Sequence, residues 1–140
     1  MKKIFISLFL FVNSVIFSST YKDGLYVAKS SEPYYNWVSV VEITISGGEI
    51  SKVQSEDYNS KGEKRTEDIK GNQYMKSKHG FDFTDVVNKF TRELTSKKNT
   101  KDVDGIAGAT HSMSIFKSLA DKALKNAELG DTQKSIINSK

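Results

Sequence analysis

No cysteine occurs in the 140 residues. The chain can form no disulfide, and it lacks the thiol through which bacterial lipoproteins are lipidated, so no lipid anchor is expected. Histidine occurs twice, at His79 and His111, with no HExxH or EF-hand spacing, so no metal site is expected. There is no glycine fingerprint after the first strand and no series of strand–helix repeats, which argues against a parallel dinucleotide-binding fold. Basic residues form no patch or stripe: charges of both signs alternate through "SEDYNSKGEKRTEDIKG", residues 55–71. That reads as a solvated surface, and no nucleic-acid partner is expected. The formal charge is +4, and Lys2 and Lys3 supply two of those charges. No pair of side chains stands out as a catalytic acid and base.

Those two lysines open the run "IFISLFLFVNSVIF", Ile4 to Phe17, which ends in Ser18, Ser19 and Thr20. A basic head, a short apolar middle and a small-residue exit have the layout of a secretory signal peptide. The run is short for a bilayer span and is interrupted by Asn13 and Ser14; an uncleaved anchor is the alternative. Residues 1–20 are therefore read as the signal, and the protein as exported to a periplasm, the cell surface or the medium. What remains, roughly 120 residues, can bury a core without staples. It is read as one domain over residues 21–130, followed by a polar, frayed tail over 131–140.

Within that domain the pattern predicts α+β architecture: an antiparallel β-hairpin or meander packed against C-terminal helices. A short strand is expected from Leu25 to Ala28 after an Asp-Gly turn, and the single proline, Pro33, marks a loop. "WVSVVEITI" is rich in β-branched residues, with Val41, Ile43 and Ile45 alternating against Glu42 and Thr44. Gly47 and Gly48 can take the positive φ of a tight turn into a partner strand, "EISKV". The polar stretch from Glu56 to Gly80 resists assignment, with Tyr58, Ile69, Tyr74 and Met75 as expected anchors to the core. Phe83, Val86, Val87, Phe90 and Leu94 then fall at helical spacing. A helix is predicted from Asp85 to about Ser96, with Thr84 as N-cap and Lys97 and Lys98 at the negative end of its dipole. A last helix is predicted to start at His111 or Ser112, with Ile115, Phe116, Leu119, Ala120, Ala123 and Leu124 as its apolar stripe.

The segment before that helix carries the least ordinary pattern, "DVDGIAGATHS". Gly108 and Ala109 leave little to obstruct approach to the Thr110 hydroxyl. A helix start directly beyond it offers unpaired N–H groups and a positive dipole end, which together suit a phosphate, bound or covalently attached. The same residues also read as an ordinary glycine turn with a threonine N-cap. His111, in the first turn, reads as an exposed side chain.

The string Asp104, Gly105, Ile106, Ala107, Gly108, Ala109, Thr110, with the alanine-rich helix after it, resembles the signature of the FMN-binding domain family. That family includes flavin-bearing components of the sodium-pumping NADH:quinone reductase and of the related Rnf complex. "DGLYVA" and "WVSVVEITISGGEISKVQSEDYNSKG" are similar to its opening strand and hairpin. The resemblance, from Lys22 to about Ala127, implies FMN as cofactor, esterified through its phosphate to Thr110. The esterification is carried out by a flavin transferase that depends on FAD and magnesium. The resemblance makes Asp104, Ala107, Gly108, Ala109 and Thr110 part of the cofactor-binding stretch, Asp104 serving the transferase or fixing the loop rather than touching the ring. Ser112, in the first helical turn, reads as a further cofactor-binding residue that donates to the phosphate. Ala107 departs from the family, which usually has serine or threonine there. The resemblance further implies an electron-transfer flavoprotein with redox partners in the membrane or outside the cell, rather than an enzyme with a substrate of its own. The alternative is a non-redox surface or binding module that keeps the fold without flavin. Trp37, Tyr58, Tyr74 and Met75 are candidates for contact with the isoalloxazine ring, each of which also reads as a core or edge residue.

Overall fold

A computed structural model describes residues 21–138. The expected signal peptide lies outside the described residues. The architecture is α+β: one four-stranded sheet with helices on one face. The strands are β1 (Gly24–Ser30), β2 (Val38–Ser46), β3 (Glu49–Tyr58) and β4 (Ser135–Ile137), in the spatial order β3-β2-β1-β4. The helices are α1 (Ile69–His79), α2 (Phe83–Lys97) and α3 (Thr110–Leu129).

β1 through β3 form an antiparallel meander. The β2–β3 turn uses Gly47 and Gly48 at φ +61° and +74°, the positive values that a hairpin whose twist matches its strands requires. Asp23 holds this turn from outside, its carboxylate accepting from Gly47 N (3.2 Å) and Gly48 N (2.8 Å). Alternation puts Tyr26 and Ala28 of β1 and Val41, Ile43 and Ile45 of β2 on one buried face. On that face lie Phe83, Val86, Phe90 and Leu94 of α2, and Met113, Phe116, Leu119, Ala120 and Ala123 of α3. Phe116 is the pivot, its ring centroid 5.3 Å from Phe90 and 6.1 Å from Phe83.

Three expectations need correction. Asp82, not Thr84, caps α2: its carboxylate accepts from Asp85 N, and the Asp85 side chain accepts from Asp82 N in return. Phe83 is fully buried, so the helix has to begin early enough to deliver that ring to the core. The segment after Gly130 is not a frayed end throughout. Residues 135–137 pair in parallel with β1, and buried Asn126 of α3 donates to Ser135 Oγ at 2.6 Å. Lastly, the middle segment is not anchored by Ile69 and Tyr74, which are 71% and 62% exposed.

That segment instead forms α1, a helix with no buried residue. Polar bonds hold it: Asp68 caps it through Gly71 N, and Asn72 spans its surroundings. The Asn72 amide donates to Arg65 O (2.9 Å) and accepts from Phe83 N (3.0 Å), tying α1 to the start of α2. Met75 is half-buried against the core. α1 thus stands beside the start of α2, and its Asn72, Tyr74 and Met75 border a cleft.

Candidate functional site

The Thr110 loop is built by a turn whose geometry demands its sequence. Ala109 N donates to Ile106 O (2.9 Å), closing a four-residue turn with Gly108 in its third position at φ +91°. A positive φ at that position is the glycine place of such turns. A Cβ on Gly108 would also come within 3.3 Å of the Phe81 ring. Ala109 is buried, fixing the loop to the core, and Thr110 next to it is exposed. Gly108→Ala is therefore expected to destabilise the protein by about 1–3 kcal/mol through backbone strain, read as a lower urea midpoint at unchanged m.

α3 begins at Thr110 itself, one residue earlier than predicted, with Ala109 at the N-cap. No side chain caps this helix, in contrast to α1 and α2. Its first backbone bond runs from Met113 N to Ala109 O (3.1 Å), so the amides of Thr110, His111 and Ser112 lack intrahelical acceptors. Thr110 is thus a first-turn residue rather than a cap. Its hydroxyl stands in solvent beside amide donors that a phosphate can satisfy.

Next to this helix start lies a cavity of about 520 Å³, lined by Tyr34, Trp37, Arg65, Tyr74 and Met75 and by Gly108, Ala109, His111 and Ser112 on either side of Thr110, which does not itself line it. Of the proposed ring contacts, Trp37, Tyr74 and Met75 are therefore brought to the motif. Tyr58 is not: it lines two other hollows that share no residue with the Thr110 loop. One of these is larger, about 630 Å³, and lies between Lys29, Val40, Tyr58 and Lys134 on the open face of the sheet. The smaller cavity is the candidate site because Ala109, His111 and Ser112, which flank the first residue of α3, line it.

Tyr34, Tyr35 and Arg65 were not anticipated from the sequence. Tyr34 and Trp37 exchange backbone bonds of 2.8 and 3.0 Å around Tyr35 and Asn36, both at positive φ, +48° and +68°. This strained turn brings the Tyr34 ring to 3.7 Å, centroid to centroid, from His111. Asn36 carried the only sequence signal, since asparagine tolerates left-handed backbone. Arg65 lies across the Phe83 ring with Cζ 4.4 Å from the centroid, and Nη1 donates to Asp57 Oδ2 at 3.0 Å. Asp57 is buried in turn and accepts from Ser39 Oγ at 2.6 Å. Burial pushes its carboxyl above the ordinary range, against the opposing pull of Ser39 and Arg65.

Asp104 is exposed and serves the loop from its far side. Its backbone N–H donates to Glu93 Oε1 (3.1 Å), and its carboxylate lies 3.3 Å from Lys97 Nζ. Lys97 also donates to Asp102 O and Glu93 Oε1, both at 2.8 Å. Glu93 Oε2 lies 2.6 Å from Lys89 Nζ in a contact that is ionic rather than well directed. The Lys89 and Lys97 ammonium groups draw the Glu93 carboxyl from 4.5 down to about 2. A depressed carboxylate stabilises the fold above its unfolded value, and that contribution is lost as pH falls from about 4.5 through about 2. Glu93→Gln is expected to flatten the decline in melting temperature over that window, as thermal melts across it will show. Ala107, exposed in the same turn, offers a methyl group where a hydroxyl would be able to bond.

Fold and cleft define a small α+β cofactor-binding domain whose helix start suits a phosphate and whose aromatic walls suit a flat ring. The sequence profile of the FMN-binding domain family matches residues 35–125, and the chain belongs to that family. Its cofactor is accordingly FMN. A crystal structure of a protein from Clostridium perfringens is similar to it at TM-score 0.80 and 29% identity, covering 84% of this chain and 98% of that one. A solution structure from Clostridium thermocellum shares the fold at TM-score 0.52 and 23% identity, covering 76% and 92%. No curated protein matches the chain. Among the described residues, no helix is long and apolar enough to cross a membrane.

Proposed function

We propose that this chain is an exported electron-transfer flavoprotein carrying FMN covalently on Thr110. The carrying observation is an exposed threonine at the first position of an uncapped helix, whose neighbours Gly108, Ala109, His111 and Ser112 line a cavity with aromatic walls. FAD is FMN joined to AMP, so the transfer balances simply. The Thr110 oxygen forms the new ester bond to the flavin phosphorus, the pyrophosphate bridge breaks, AMP leaves, and the hydroxyl proton is released. The transferase, with magnesium, performs that step; this chain contributes the hydroxyl and the amides of His111 and Ser112 around the resulting anion.

Once bound, the flavin supplies one- and two-electron redox chemistry, and the protein's part is to position the ring and set its potential. Covalent attachment suits an exported protein, which has no access to cytoplasmic FMN once its own dissociates. Donor and acceptor belong to the membrane or to the space beyond it. Coexpression with a flavin transferase is expected to give a yellow, fluorescent band that survives a denaturing gel. A colourless protein would refute covalent attachment, and flavin lost on denaturation and dialysis would establish noncovalent binding instead. Intact mass of protein from its own host would report signal cleavage and flavin together.

A further inference from the structure

Arg65 stands between the buried Asp57 and the cavity. Asp57 occupies one corner of its guanidinium and Phe83 lies under one face. Its side chain is only 21% exposed, and Arg65 lines the cavity together with Trp37, Tyr74, His111 and Ser112. Guanidinium is a rigid fork of N–H donors. Among the described residues, Asp57 is the one acceptor that its side chain meets, leaving most of those donors unused beside the cavity. The fork is also held in place from below: Ser39 Oγ donates to Asp57 Oδ1 while Arg65 donates to Oδ2, so the carboxylate cannot swing away without losing both partners.

Resting on the reading of the cavity as the flavin site, we propose that Arg65 is the ring-facing cation, donating to the carbonyl oxygens on the pyrimidine edge of the isoalloxazine. A fixed positive charge there favours the more electron-rich oxidation level, so Arg65 raises the midpoint potential. The Asp57–Ser39 pair acts as its positioning support. Phosphate and ring are then served by different groups: helix amides at Thr110 for the one, a side-chain fork for the other. A phosphate role for Arg65 is disfavoured because His111 and Ser112 already present free amides beside the attachment oxygen.

The test compares flavin-labelled wild type, Arg65→Gln and Arg65→Lys, with equal labelling verified by intact mass and midpoint potentials read by spectroelectrochemistry. Arg65→Gln is expected to lower the reduced-to-oxidised equilibrium constant about tenfold, a fall of about 30 mV for a two-electron couple. Arg65→Lys, which keeps the charge, should recover most of that. An unchanged potential in fully labelled Arg65→Gln would overturn the proposal. Should that variant not fold, wild type decides. In protein carrying 15N-labelled arginine, the Arg65 side-chain signal should shift between unlabelled Thr110→Ala and flavinylated wild type while that of Arg92, exposed on α2, stays put. No Arg65 shift would overturn it equally. Wild type that gains no flavin mass would instead refute the underlying reading, and the cation's role would fall with it.

Discussion

Thr110→Ala, coexpressed with a flavin transferase, is expected to remain entirely unlabelled while folding as well as wild type. The two halves of that expectation rest on different observations. Labelling requires an oxygen nucleophile at this position, and alanine supplies none. Stability should change by no more than about 0.5 kcal/mol, because the exposed hydroxyl caps nothing and alanine is the better helix former at an exposed position. Thr110→Ser keeps the oxygen on the same backbone and should retain label. Intact mass reports the flavin, and urea denaturation reports the fold. A labelled Thr110→Ala protein would move the attachment point to another hydroxyl, with Ser112, two residues on and lining the cavity, the nearest candidate.

The turn and helix start around Thr110 were legible because they obey local rules: a glycine for the positive φ, a small buried residue, then an apolar stripe with helical period. The hairpin was legible for the same reason, since paired glycines and strict alternation speak within a few residues of each other. What escaped was decided at a distance. β4 has three residues and little pattern of its own; its place depends on β1, more than a hundred residues earlier, and on Asn126. α1 has no apolar stripe to announce it, because polar caps and Asn72 hold it in place of buried side chains. Arg65 sat inside a run of alternating charges that reads as solvated surface. Only the fold brings it onto Phe83 and against Asp57, where it ceases to be a surface charge. Aromatic residues around the cavity were half legible. Trp37, Tyr74 and Met75 read as apolar groups in polar surroundings, and so does Tyr58, which lines a different hollow.

Phe116→Ala is expected to cost about 3–5 kcal/mol, the usual penalty for deleting a buried aromatic ring from a close-packed core. Phe116 is fully buried and contacts both Phe83 and Phe90, so the lost volume opens where α2 and α3 meet over the sheet. Against a typical domain stability of about 5–15 kcal/mol, that is enough to populate the unfolded state measurably and to lower the urea midpoint sharply. The consequence reaches the site because α3 carries both Phe116 and Thr110. If the transferase reads the turn-and-helix junction as a folded shape, labelling of Phe116→Ala should decline as temperature rises through its lowered melting transition. Wild type, still folded there, should not follow. Equal labelling of the two proteins above that transition would mean that the transferase reads the string of residues 104–110 as an extended peptide. The uncapped helix start would then serve only to hold the ester once made.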